Sequence, residues 1–136
     1  MTMIWVVKKR VWVDSDTQSK LSELFRKTRG YVIRNQLIAH MLYEWISAEG
    51  ITHVGDISYV DKFGDAENIS KRRFINFQVE YFLWNDFICC CSDNGLNANI
   101  GFKIAVNHFL YIISNNYENI LSYIIEQKNM IRYRSK

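Results

Sequence analysis

From Arg73 to Val79 apolar and polar side chains alternate, with Ile75, Phe77 and Val79 on one face and Phe74, Asn76 and Gln78 on the other. Side chains alternate sides along a strand, so the pattern predicts a β-strand with one covered face and one open to a ligand. A helix is predicted over 81–93, carrying Leu83, Phe87, Cys90 and Cys91 at helical spacing. Asn94-Gly95 stops it, because glycine accepts the left-handed conformation of a helix exit. Beyond the turn, Phe102, Ala105, Val106 and Phe109 form the apolar stripe of a second helix.

The chain begins with the same order. Between Lys8 and Val13 the alternation puts Val11 and Val13 inside and Arg10 and Trp12 outside. Ser15 and Gln18 have capping-box spacing, and Asp14 and Asp16 favour a helix start. Leu21, Leu24 and Phe25 follow as a stripe, and Lys27-Thr28-Arg29-Gly30 ends the helix. A second helix is expected over about 33–48, with Leu37, Ile38, Met41, Leu42, Trp45 and Ile46 inward and Glu49-Gly50 at its end.

The two stretches align as an internal repeat of pattern. Val13 falls on Val79, Leu21 on Phe87, Leu24 on Cys90 and Phe25 on Cys91, all at one offset. After the glycine turn the offset changes by two, matching Ile38 with Phe102, Met41 with Ala105, Leu42 with Val106 and Trp45 with Phe109. Residues 51–70 read as a partly ordered linker pinned by Ile57, Tyr59 and Phe63. Tyr117, Ile120, Leu121, Ile124 and Ile125 predict a last helix, followed by a basic tail. The expected divisions are 1–50, 51–70, 71–115 and 116–136, in one body.

Composition narrows the class. Of 136 residues 49% are hydrophobic and 15% aromatic, too apolar for a disordered chain. The net charge of +3 permits an anionic partner without requiring one. More telling is placement, since a basic triplet precedes each alternating strand: Lys8-Lys9-Arg10 and Lys71-Arg72-Arg73. Either alone would ordinarily be a solvated charge run; the repetition suggests phosphate binding. No apolar run is long enough to span a membrane, and the charge order at the start opposes a secretory signal, so a cytoplasmic setting is expected.

Chemistry of the catalytic kind finds little footing. The three cysteines are consecutive, Cys89-Cys90-Cys91, and point in different directions on a helix, which fits core packing with Cys89 exposed. His40, His53 and His108 lack metal-site spacing, and Asp56, Asp61 and Asp65 lack the glycine and glutamate of a calcium loop. No enzyme activity, cofactor or metal is expected.

The order strand, helix, turn, helix, with the alternation at Phe74-Ile75-Asn76-Phe77-Gln78-Val79, resembles the ribbon-helix-helix DNA-binding family of the Arc and MetJ repressors. Two such units in one chain resemble the tandem TraY-type accessory proteins of conjugative plasmids. The resemblance implies a mainly α fold with a short two-stranded antiparallel β-ribbon, a tandem pseudo-dimer with an added C-terminal helix. It implies double-stranded DNA as partner, read in the major groove by Arg10, Trp12, Asn76 and Gln78. Phosphates would be held by Lys8, Lys9, Lys71, Arg72 and Arg73, and at the starts of the second helices, near 31–33 and 96–98, where Asn97 matches the family's opening residue. Trp12 and Phe74, bulky outward residues, depart from the family's polar pattern.

A regulator of transcription, or a plasmid or phage accessory factor, is therefore expected, with a second copy on adjacent sites or a protein at the C-terminal helix as further partners. The competing reading is a protein-interaction module: an antitoxin whose C-terminal helix covers a toxin, or a viral inhibitor of a host protein.

Overall fold

The computed structural model describes residues 5–52 and 72–116, together with Ser122, Tyr123 and Glu126. Strand β1 (Val6–Val13) leads through Asp14 into helix α1 (Ser15–Thr28), and helix α2 (Arg34–Ser47) follows. Strand β2 (Arg73–Glu80) then runs directly into helix α3 (Tyr81–Asp93), and α4 (Ala98–Asn116) completes the order. Among the described residues the fold is thus four helices and one two-stranded antiparallel ribbon. Residues 53–70 of the expected linker, Lys71, and the expected stripe of Tyr117, Ile120, Leu121, Ile124 and Ile125 lie outside the described residues.

The strands pair along their full length, Val6 opposite Glu80, Arg10 opposite Asn76 and Val13 opposite Arg73. Opposed residues share a face. Val11, Val13, Ile75, Phe77 and Val79 are buried on the lower one, as the alternation predicts. A two-stranded ribbon is marginal by itself and needs such a covered face. The cover is crossed: α2 lies against β2 and α4 against β1, while α2 and α4 pack on each other between them.

Beneath the ribbon an aromatic chain fills the core. Phe102 stacks on Phe77 at 5.6 Å, Phe77 meets Trp84 at 5.9 Å, Trp84 meets Phe87 at 5.2 Å, and Phe87 meets Trp45 at 5.7 Å. The helices can approach because Gly101 has no Cβ; one added there would land on Cys91 Sγ. At the end of α3, Gly95 takes a φ of 71°, as a helix exit of this kind requires.

Three expectations are corrected. The N-cap of α1 is Asp14, whose carboxylate accepts the Thr17 N–H at 2.9 Å, so Ser15 is already helical. Trp84 joins Phe87 and Cys91 as the buried residues of α3, whereas Leu83 is only half-buried, because β2 enters α3 without a turn and sets the helix phase. Tyr123, absent from the expected last stripe, is buried: it packs edge-on against Phe109 and bonds His40 Nε2 through its hydroxyl.

Candidate nucleic-acid interface

The upper face of the ribbon is built in rows by the register. Val6 stands opposite Glu80, Lys8 opposite Gln78, Arg10 opposite Asn76 and Trp12 opposite Phe74. Lys8, Arg10, Phe74, Asn76 and Gln78 are exposed and Trp12 is half-buried. Arg10 Nε donates to Asn76 Oδ1 at 2.9 Å, a cross-strand bond in the middle of the face. The Arg10 guanidinium also sits 5.1 Å from the Phe74 ring, and that of Arg72 lies 3.8 Å from the Trp12 ring. Cations and rings therefore interleave at one end, and polar side chains occupy the other.

The ribbon edges are closed by the helix starts. Asn35, in the first turn of α2, accepts the Gln78 N–H at 3.2 Å through Oδ1. Asn99, in the first turn of α4, accepts the Trp12 N–H at 3.0 Å in the same way. Arg34 Nη1 adds a 2.6 Å bond to the Asn76 carbonyl. One edge amide on each strand, which would otherwise face solvent or another chain, is thus used, and each helix N-terminus is pinned beside the upper face.

Charge is distributed unevenly. Along α1 the cations are matched, Lys20 with Asp16 and both Arg26 and Lys27 with Glu23. Among the described residues Lys8, Arg10 and Arg34 have no carboxylate partner. The buried Lys103 of α4 is held by Asp14 at 2.7 Å. Burial alone would raise the Asp14 carboxyl, but hydrogen bonds from Lys103 and Thr17 outweigh it and hold the group below its ordinary value. Burial likewise lowers the Lys103 amine, an effect the Asp14 bond only partly offsets.

The expected site residues divide. Lys8, Arg10, Trp12, Asn76 and Gln78 share the upper face. Arg72 joins them through its stack on Trp12, and exposed Arg73 begins β2 and bonds the Arg72 carbonyl. Lys9 points to the lower face with its amine 5.3 Å from the Trp84 ring, its stem half-buried. Asn97 caps α4, its Oδ1 accepting the Ile100 N–H at 2.9 Å. Of the loop amides near the helix starts, those of Tyr31, Val32 and Leu96 are already donated to Thr28 and Cys91 carbonyls. Lys71 lies outside the described residues. Sequence reasoning missed Arg34, Asn35 and Asn99, whose partners are distant in the chain; polar residues in the first turn of two otherwise apolar helices were the available signal.

Elsewhere, a groove of about 500 Å³ lies between the far ends of α2 and α3, lined by Ile46, Glu49, Asp86, Cys89, Cys90, Asp93 and Asn94. Burial first, then Asp93, raises the Cys90 thiol, and burial pushes Cys91 to about 12, so neither offers a thiolate nucleophile near neutrality. No grouping of metal-binding side chains occurs among the described residues, nor does any helix there have the length and apolarity to cross a membrane. No family model, curated protein or solved structure matches the chain.

Proposed function

We propose that the protein binds double-stranded DNA in a sequence-specific manner by laying the ribbon in the major groove, as a small transcriptional regulator or a plasmid or phage accessory factor. The observation that carries the reading is the upper face itself, a solvent-facing row of Lys8, Arg10, Asn76 and Gln78 on a ribbon flanked by two helix N-termini. A two-stranded ribbon fits the width of a B-DNA major groove, and Arg, Asn and Gln carry the donors that base edges accept. Helix N-termini beside it favour phosphate oxygens.

The arrangement also supports a tandem ribbon-helix-helix pseudo-dimer. Arg10 and Asn76, 66 positions apart, are repeat mates at the offset that aligns Val13 with Val79, and they face each other in the ribbon. In a two-fold ribbon the residue on the axis pairs with its own counterpart, and Arg10–Asn76 is such a pair. Helices α1 and α3 begin at the same offset, and α2 and α4 at the offset shortened by two. On this reading Asn35 and Asn99 are mates as well, each closing the edge of the other unit's strand.

The test is retention of random-sequence duplex by the full chain across a salt series. Specific binding should enrich a defined motif and weaken steeply as salt rises, because neutralised phosphates release counterions. Retention of no duplex at low salt would remove the reading. One observation favours the rival, a protein-interaction surface: Trp5, Val6, Tyr81 and Phe82 form an exposed apolar cluster at one end of the ribbon, with Trp5 66% and Phe82 63% exposed. Partner binding there would be insensitive to salt.

A further inference from the structure

The two halves of the upper face are chemically unlike at positions that the repeat makes equivalent. About the Arg10–Asn76 pair, Trp12 is the counterpart of Gln78, and Phe74 the counterpart of Lys8. One half therefore offers an amide and an amine, and the other two aromatic rings. At the centre, Asn76 Oδ1 accepts from Arg10 Nε, which leaves the Nη groups of Arg10 and the amide NH2 of Asn76 to point donors at a ligand.

We infer that the ribbon reads a non-palindromic duplex site: the Lys8–Gln78 half and the central Arg10–Asn76 pair meet a guanine-bearing step, and the Trp12–Phe74 half meets a thymine-bearing one. This rests on the DNA reading proposed above. Donors concentrated at the centre match the O6 and N7 acceptors of guanine in the major groove. Rings match the thymine C5-methyl, the one apolar group displayed there. The rings are not open platforms for unstacked bases, since Arg72 lies over Trp12 at 3.8 Å and Arg10 sits 5.1 Å from Phe74. Duplex edges are thereby favoured over single strands, which need free ring faces. A symmetric ribbon would place like residues at like positions and select a palindrome; this one does not.

The experiment is selection from random duplex by the full chain, run in parallel with two symmetrising variants, Trp12→Gln with Phe74→Lys, and Lys8→Phe with Gln78→Trp. Circular dichroism melts select whichever variant keeps the parental fold. The parent should enrich a motif that is not self-complementary, with guanine central and thymine to one side. Inverting the thymine half of that site should weaken binding roughly ten- to a hundred-fold, the scale of one or two wrong base pairs. Replacing its thymine by uracil, which removes only the methyl, should weaken the parent several-fold and leave the Trp12→Gln, Phe74→Lys variant unchanged. A folded symmetrised variant should shift to a motif whose flanks mirror each other on either side of the step met by the unchanged Arg10–Asn76 pair. A palindromic motif from the parent, or indifference to uracil, overturns the asymmetric reader while DNA reading stands. Absence of any enriched motif overturns both.

Discussion

Asn35 and Asn99 perform one task on opposite edges of the ribbon, each accepting a strand N–H from the first turn of a helix. The Trp12 amide is part-buried and the Gln78 amide exposed, so water can replace Asn35 better than Asn99. Asn99→Ala should therefore cost about 1–3 kcal/mol and Asn35→Ala about 0.5–1.5 kcal/mol. Urea midpoints of the two variants check the order; the reverse order would mean that the edges are not closed in this way.

The Asp14–Lys103 pair predicts an acid limb in stability. The Asp14 carboxyl lies below its ordinary value of 3.8 in the fold, where hydrogen bonds from Lys103 and Thr17 outweigh burial. Its contribution is therefore complete above that value and is lost as pH falls through the lower, folded-state one. Asp14→Ala should cost about 3–5 kcal/mol near neutrality, because it removes the carboxylate paired with a buried ammonium and removes a helix cap. Lys103→Met should cost much less, since the more exposed Asp14 regains water. Urea titrations at pH 7 and pH 3 on the three proteins measure both effects, and the Asp14→Ala curve should be flatter between them.

What the sequence disclosed and what it hid follow a physical division. Both strands were legible because each has one covered face, and a period of two is hard to imitate when register is fixed by burial. Helix ends were legible where glycine takes a positive φ, as at Gly30, Gly50 and Gly95. Hidden were the features decided by distant partners. Lys103 lies in the apolar helix α4 and becomes intelligible only beside Asp14, and that same contact favours Asp14 over Ser15 as the cap. Lys9, grouped by sequence with Lys8 and Arg10, is turned inward by the alternation of its own strand and sets its amine over Trp84. Of the site, the upper-face residues were legible from one strand each; that Arg10 meets Asn76 required the register.

Packing of α3 on α4 gives a coupled prediction. A methyl at Gly101 would meet Cys91 Sγ, with Phe87 and Trp45 each 3.5 Å away. Gly101→Ala should cost about 1–3 kcal/mol through overpacking. Combined with Cys91→Ala, it should cost less than the two changes added, since removing the sulfur makes room. A double-mutant cycle in urea reads the coupling. Exposed Cys89 serves as control, and Cys89→Ser should be close to neutral, whereas Phe87→Ala and Leu24→Ala should each cost about 2–5 kcal/mol.

Reading and anchoring should separate by mutation. Asn76 and Gln78 point away from Ile75, Phe77 and Val79, the bonds to Arg34 and Asn35 use only their backbone, and the one side-chain bond lost, from Arg10 Nε to Asn76 Oδ1, is exposed to water. Replacing both by alanine should leave the melting curve nearly unchanged. In DNA binding the double variant should lose affinity for the selected site, by roughly 1–3 kcal/mol for each good base contact removed, while salt-sensitive binding to any duplex persists. Arg34→Gln and Arg73→Gln should act differently. Neither has a carboxylate partner among the described residues, and neither stands in the upper-face row proposed to read bases, so each should weaken all sequences alike. The slope of log affinity against log salt should fall by about one per cation removed. If Asn76 and Gln78 can be deleted with no change in the preferred sequence, the ribbon positions the protein without reading DNA. Specificity would then have to come from the deformability of the duplex and not from the residues of this face.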